Sequence, residues 1–413
     1  MKWEIRPIDE QELLAYAQVQ LSAYPAMNGP AEAAVERMRP LLTEDTTSRL
    51  YGVFSGQRLV GGMRLLDFQM NYFGRFIPAG GVGSVAVDFT EKKQGMAKAI
   101  ITYFIEHYRQ QGAHLTLLYP FRPDFYQQMG YGFAPKMQQY CFAPASLPCP
   151  SRSHGLVHLT EADLPELRRF SDEYAASHHG FCRRSDFELR SLLKHHGANR
   201  TLVGWKENGR LLAYLAFNFR RESNFIKNSL LIREWLWQGQ AAFLTCCSFL
   251  HSQADQICQI VYNSLDDHFH YALGDVRNGS DHIIPSVYHE SNTAGVGLMY
   301  RITGLADFLQ ATDYRDYNGQ TMNLRLTVSD SFRPENAGTY HLRISDGQLQ
   351  LVPELEQAID LAIEVSDLSA LLLGSVSLQS LYRLGRVQLA AEHVSAVDSL
   401  FWVSQKPECI TAF

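Results

Sequence analysis

Gly80-Gly81-Val82-Gly83-Ser84-Val85-Ala86-Val87 and, after Asp88-Phe89-Thr90-Glu91, Lys92-Lys93-Gln94-Gly95-Met96-Ala97-Lys98 form the stretch on which the reading of this chain turns. The first part is an apolar run loosened by glycine, the pattern of a buried strand. The second opens a segment in which Met96, Ile100, Ile101, Phe104, Ile105 and Tyr108 recur at helical spacing, closed by Gln111-Gly112. His114 to Tyr119 is another apolar run, stopped by Pro120. The order is strand, helix, strand, with glycine and lysine at the helix start. Free N–H groups and the helix dipole favour a phosphate at such a point, and Gly95 lets the backbone approach it closely. Neither the GxxxxGK[ST] loop nor the dinucleotide GxGxxG is present. Read alone, the segment equally fits an ordinary helix start with solvated lysines.

Outward from this point, residues 9–24 pattern as an amphipathic helix, and Leu50 to Phe54 and Arg58 to Phe68 as strands around a Ser55-Gly56 turn. Pro144 to Ser153, rich in Pro and Ser, reads as a linker. The order then repeats: Val157 to Leu164 echoes Glu4 to Asp9, and Arg200 to Lys206 with Arg210 to Phe219 echoes the hairpin. Ile232 to Trp237 with helical Ala241 to Gln256 forms a second strand–helix unit, lacking the basic turn. From about Gly295 come short strands (Leu324 to Val328, Thr339 to Ile344, Gln348 to Val352), an Asp346-Gly347 hairpin turn and short helices over Asp367 to Leu373 and Leu378 to Leu384. The reading is α+β with segments 1–150, 151–294 and 295–413.

Composition excludes several classes. The chain has 413 residues and a net charge of −6, against a role dominated by nucleic acid or anionic membrane. It is 46% hydrophobic and 19% charged, as a folded globular chain is. The 7 Cys lie at irregular spacing, with no CxxC pair, so neither a disulfide scaffold nor a structural zinc is expected. The start Met1-Lys2-Trp3-Glu4-Ile5-Arg6 has no apolar signal region, and no apolar run reaches the ~18 residues of a membrane span. A cytoplasmic location is expected. His178-His179, His195-His196 and His268-Phe269-His270 lack a ligand partner at a recognised spacing, so no metal is expected. Trp235-Leu236-Trp237 reads as core.

Val85-Ala86-Val87 followed by Lys92-x-x-Gly95-x-Ala97 resembles the acetyl-CoA motif of GCN5-related N-acetyltransferases, [Arg/Gln]-x-x-Gly-x-[Gly/Ala], with Lys92 in the first place. Asp124-Phe125-Tyr126-Gln127-Gln128-Met129-Gly130-Tyr131-Gly132-Phe133 resembles the turn after that family's fifth strand. With a second, degenerate copy and a sterol-carrier-like end, the layout resembles the Eis (enhanced intracellular survival) family over nearly the whole chain. The implied fold is a tandem of acetyltransferase folds, the second degenerate, followed by a sterol-carrier-protein-like α+β domain.

The resemblance implies acetyl-CoA as co-substrate and an amine as acceptor, a polyamine or aminoglycoside in kind, with a protein or peptide amine as the alternative. Val85 and Val87 would offer backbone amides to the pantetheine arm, Lys93, Gln94, Gly95, Met96, Ala97 and Lys98 would cradle the pyrophosphate, and Ala86, Lys92 and Phe121 complete the cofactor-binding set. Tyr126 would be the general acid and the Phe413 carboxylate the base, anchored by the apolar end Cys409-Ile410-Thr411-Ala412-Phe413. The plain alternatives are a Tyr126 that packs beneath its turn and a tail that completes a core. Tyr24 to Pro30 offers no carboxylate to a polycation; Glu32 and Glu36 are the ones that follow. A homo-oligomer, a hexamer in that family, is implied. A second reading keeps the fold without turnover, as a CoA- or lipid-binding interaction protein.

Overall fold

The structure, a computed structural model, describes residues 3–151, 155–194, 200–223, 226–411 and 413. His195, His196, Ala412 and the end of the Pro144–Ser153 stretch lie outside the described residues.

The first segment runs β1 (Glu4–Pro7), α1 (Leu13–Ala23), α2 (Ala31–Thr43), β2 (Ser48–Ser55), β3 (Arg58–Tyr72), β4 (Arg75–Val87), α3 (Met96–Gln110), β5 (Leu115–Leu118), α4 (Pro123–Gln127) and β6 (Gly132–Phe133). The second runs β7 (Met137–Phe142), β8 (Leu156–His158), α5 (Leu164–Ser177), α6 (Asp186–Leu193), β9 (Arg200–Glu207), β10 (Arg210–Arg221), β11 (Asn228–Trp237), α7 (Gly239–His251), β12 (Ile257–Ser264), β13 (Ile283–Ile284), β14 (Tyr288–His289) and β15 (Asn292–Gly295). Then come β16 (Met299–Ile302), α8 (Leu305–Ala311), β17 (Met322–Ser329), β18 (Gly338–Ser345), β19 (Gln348–Val352), β20 (Ile359–Glu364), α9 (Val365–Leu372), α10 (Leu378–Arg383), β21 (Val387–Gln388) and α11 (Val394–Phe401).

The apolar stripe of α3 does what its spacing predicts: Met96, Ile100, Ile101, Phe104, Ile105 and Tyr108 are all buried. The first sheet has the order β1-β2-β3-β4-β5-β16-β6 and the second, read from its other edge, β8-β9-β10-β11-β12-β7-β15. The repeat is therefore real, strand for strand. One position is exchanged. The sixth place in the first sheet goes to β16, from beyond the second copy, and the sixth place in the second goes to β7, from before it. Met137–Phe142 was read with the first segment and Met299–Ile302 with the last. A strand's own residues specify its pleat but not which sheet it joins.

The chain gathers into two compact units, Met1–Pro135 with Ala176–Arg183 and Gly297–Phe413, and Lys136–Ala175 with Arg184–Val296. In the second, pairing of β11 with β12 ends at Ile232 and Tyr262, as β4 separates from β5 in the first. There Trp235 fills the place of Val85 by register. It stacks on Phe243 with centroids 5.3 Å apart and meets Trp237 at 5.1 Å and Tyr262 at 5.3 Å. Since α7 starts at Gly239, directly after β11 ends at Trp237, no loop for a phosphate intervenes. Trp235 is core, and the copy is degenerate because aromatics occupy its groove.

In the first unit the sterol-carrier-like sheet has the order β19-β18-β17-β20-β21. Phe68, Met70 and Tyr72 of β3 share one core with Leu324 and Leu326 of β17, Leu368 of α9 and Phe401 of α11. The ends are locked by a fully buried ion pair, Arg301 Nη2 to Asp330 Oδ2 at 2.5 Å. Arg301 also donates to the Met129 carbonyl, while Asp330 accepts from Asn336 Nδ2 at 3.1 Å and from the Arg333 N–H at 2.9 Å. Burial pulls the guanidinium down and Asp330 opposes this. The motif glycines follow: a Cβ on Gly130 (φ +79°) would collide with Arg301 Nη1, and one on Gly132 with the Ser366 carbonyl.

A second lock uses a neutral histidine. The Phe73 N–H donates to His179 Nδ1 at 3.3 Å, which leaves Nε2–H to donate to the Leu373 carbonyl at 3.0 Å. Burial pulls this imidazole down to about 4.

Two expectations follow. Asp330→Asn leaves Arg301 buried without its counter-charge and should cost about 3–5 kcal/mol by chemical denaturation; a loss below ~1 kcal/mol would show that the pair is dispensable. His179 is neutral when folded, so its contribution is present above the unfolded value near 6.5 and lost as pH falls toward about 4. The loss should reach ~3 kcal/mol, and His179→Gln should flatten that part of the stability–pH curve; parallel curves for the two proteins would refute it.

Candidate active site

Strand β4 separates from β5 at a defined point. Parallel pairing runs through Gly80–Thr116 and Gly81–Leu117 to Val82–Leu118 and stops, so a gap opens between Gly83 and Tyr119. The same place carries a bulge toward β3. Gly83 pairs with Arg64 and Ala86 with Gly62, so Ser84 and Val85 stand opposite Met63 alone, and Ser84 takes φ +52°. The Asp88 N–H donates to the Val60 carbonyl at 2.9 Å. By the alternation of a strand, the amides of Ala86 and Asp88 face β3 and those of Val85 and Val87 face the gap.

A cleft of about 620 Å³ lies beside this gap. Of the expected residues it gathers Val85, Val87, Lys92, Lys93, Gly95, Met96, Ala97, Lys98, Phe121 and Tyr126. Ala86 and Gln94 are not on its wall. Ala86 is buried with α1 and α2, on the opposite face from its neighbours. Gln94 is exposed and turns its amide to the Thr90 carbonyl at 3.5 Å.

The start of α3 is bare. Lys93 (φ +62°) and Gly95 (φ +89°) bend the chain into it, no side chain caps it, and no acidic residue stands in its first turn. Helix starts ordinarily recruit Ser, Thr, Asp or Asn as caps and carboxylates nearby. Here the free amides and Lys98 are left for an anion. The ammonium of Lys92 lies 3.5 Å over the Phe89 ring, and that of Lys98 5.4 Å from the Phe332 ring.

Tyr126 stands on α4, which Pro123 opens. Its carbonyl accepts from the N–H groups of Met129 at 2.9 Å and Tyr131 at 3.1 Å, so the residue is tied into the turn that Arg301 holds. Its ring meets Phe125 at 5.2 Å and Phe121 at 6.3 Å, both near-perpendicular. Burial pushes its phenol up to about 12. Among the described residues nothing bonds its hydroxyl, which belongs to the cleft.

Phe413 lies on the other face of β4. Its carboxyl carbon would be 2.8 Å from a Cβ on Gly83. Gly83 shares a face with Arg64, whose guanidinium reaches Asp45 at 2.9 Å on the α1–α2 side, whereas Val85 and Val87 pack with the α3 cluster. The Phe413 ring sits between Phe68 and Tyr119, each with its centroid at 5.1 Å. The chain's end and the cleft thus meet at one gap from opposite faces.

Two participants escaped the sequence reading. Tyr24 donates to the Val85 carbonyl at 2.5 Å and Tyr16 to the Ser84 carbonyl at 3.3 Å, satisfying both carbonyls of the bulge. Tyr16 lies on α1 and Tyr24 is the residue that ends it, but nothing local says that this element meets β4. Among the described residues, no three His, Cys, Asp or Glu side chains gather as a metal site, and no helix is long and apolar enough to cross a membrane.

Comparison with known proteins agrees with this geometry. Residues 4–134 match the acetyltransferase (GNAT) domain family and residues 305–410 the sterol carrier protein domain family. An uncharacterized N-acetyltransferase of Streptomyces avermitilis is 24% identical over 378 residues, 88% of each chain. Among solved structures, a GCN5-related N-acetyltransferase from Anabaena variabilis matches with TM-score 0.83 at 17% identity, all of both chains being covered. Eis1 from Mycobacterium abscessus matches with TM-score 0.75 at 17% identity, again over all of both chains. The chain therefore carries a GNAT acetyltransferase domain at its N-terminal end and a sterol carrier protein domain at its C-terminal end, in the fold that Eis1 adopts.

Proposed function

We propose that the chain transfers an acetyl group from acetyl-CoA to the nitrogen of a small-molecule amine, a polyamine or aminoglycoside in kind, across the gap between β4 and β5. The GNAT domain supports the acetyltransferase class. The observation that carries the finer reading is the Phe413 carboxyl group at Gly83, on the face opposite the cleft.

The residues fit acetyl-CoA, which supplies an activated acetyl thioester. The bare start of α3 with Lys93 and Lys98 suits a pyrophosphate, and the gap-facing amides of Val85 and Val87 suit the amide-bearing pantetheine arm. The acceptor amine enters from the α1–α2 face. Its nitrogen gains a bond to the acetyl carbon and must lose a proton. A terminal carboxylate has an ordinary acidity of about 3.5, too weak a base to strip a free ammonium. The nitrogen therefore attacks as the neutral amine, and Phe413 takes its one surplus proton as the N–C bond forms, when the nitrogen becomes strongly acidic. The C–S bond breaks toward the cleft. There Tyr126, protonated throughout the neutral range, donates first a hydrogen bond and then its proton to the departing sulfur. The net charge of −6 favours the approach of a polycation, although Glu36 on α2 is already held by Arg39 at 2.8 Å.

Thiol release from acetyl-CoA with spermidine, kanamycin and a lysine peptide tests the class. Amine-dependent release is expected; confirmed acetyl-CoA binding without release from any amine would favour a binding protein instead. Tyr126→Phe should lower kcat ~100-fold, within the usual range for a lost acid–base group, and leave acetyl-CoA affinity within about threefold. An equal loss of affinity would make Tyr126 structural. A peptide extension beyond Phe413 should cost ~100-fold, as misplacement of a reacting group by about 1 Å does, with little change in thermal midpoint. Full rate with the extension would remove the carboxylate from the mechanism. Gly83→Ala should act in the same direction, because its Cβ would displace that carboxyl group.

A further inference from the structure

The tail that follows α11 has no helix or strand among the described residues, yet it reaches the gap in one defined course. Several contacts hold it. The Glu408 N–H donates to the His179 carbonyl at 2.7 Å. Pro407 and Glu408 lie so close to Gly180 (φ +86°) that a Cβ there would come within 2.6 Å of the Pro407 ring and 2.7 Å of the Glu408 nitrogen. Cys409 is buried in the shared core. Beyond it, Tyr119 donates its hydroxyl to the Thr411 carbonyl at 3.1 Å and lays its ring 5.1 Å from that of Phe413.

Tyr119 has a particular place. It directly follows Leu118, the last residue of β5 paired with β4, as Gly83 directly follows Leu118's partner Val82. Phe413 touches both lips of the gap, its ring on Tyr119 and its carboxyl carbon against Gly83. Tyr119 as a residue is 39% exposed, with its hydroxyl turned to the Thr411 carbonyl. The hydroxyl serves Thr411, two residues before the group that must be placed.

We infer that Tyr119 is the positioning residue that docks the chain's end, holding the Phe413 carboxylate at the gap through the Thr411 carbonyl and the aromatic contact. The inference rests on the proposed role of that carboxylate. Ordering the last residues of a chain costs conformational entropy, which the Tyr119 hydrogen bond and the contacts of the Phe413 ring with Tyr119 and Phe68 offset. The docked state is therefore sensitive to each of these contacts, and the rate follows the docked fraction.

The test is Tyr119→Phe, which keeps the ring and deletes the donor, in the full chain with Phe413 as its last residue. Removal of Phe413 by carboxypeptidase A, followed by mass spectrometry, needs no substrate. It should be roughly fivefold faster in the variant, the population change that one hydrogen bond sets, at an unchanged thermal midpoint. With the best amine of the thiol-release panel, kcat should fall by a similar factor and KM for acetyl-CoA should not move. In a chain lacking Phe413, Tyr119→Phe should cause no further loss, because nothing remains to be positioned. Unchanged carboxypeptidase sensitivity and kcat, beside an inactive chain lacking Phe413, would overturn the role of Tyr119 and leave the carboxylate standing. Full activity in the chain lacking Phe413 would overturn both.

Discussion

Arg301 and Asp330 form an ion pair with no access to water, and the site is built around it. A buried guanidinium is costly unless it is paired, and losing its partner leaves an uncompensated charge. Asp330 pairs with Arg301, and the Met129 carbonyl accepts from it. Those two partners lie in different parts of the chain, one in the turn after α4 and the other after β17. These two contacts tie the turn that carries Tyr126 to the sterol carrier domain that leads to Phe413, while Arg301 Nε has no partner among the described residues. Tyr126 and Phe413, the residues proposed as acid and base, belong to distant stretches of sequence, and a single buried ion pair links the elements that carry them.

The second constraint is the bulge at Ser84. Without it β4 would alternate regularly, and Gly83, Val85 and Val87 would share one face. The extra residue turns Val85 and Val87 toward the α3 cluster while Gly83 stays with Arg64 on the α1–α2 side. Under the proposed transfer, donor and acceptor would meet there without sharing an approach. Tyr16 and Tyr24 meet the cost of the irregularity by bonding the carbonyls of Ser84 and Val85.

The second copy shows what the first requires. It has the same strand order and a comparable separation of its central strands, yet Trp235, Trp237 and Phe243 close the groove against one another. Aromatic packing stabilises that copy and leaves no place for a pantetheine arm. Fold and chemistry separate cleanly here, because identical topology tolerates opposite uses of the same gap.

Much was legible in the sequence, because it is local. The α3 stripe from Met96 to Tyr108, the glycine and lysine at its start, the Asp346-Gly347 hairpin and the repeat of strand patterns all depend on neighbours within a few residues, where spacing and turn chemistry are informative. The motif glycines Gly130 and Gly132 were visible as letters, but their reasons, the Arg301 fork and the Ser366 carbonyl, lie far along the chain. Tertiary structure alone decided that β7 and β16 trade sheets, that Tyr24 reaches the Val85 carbonyl, that Ala86 faces away from the cleft, and that Phe413 lies against Gly83. Each is a pairing across tens to hundreds of residues. Periodicity tells a segment which of its faces is apolar; it carries no information about what that face will meet.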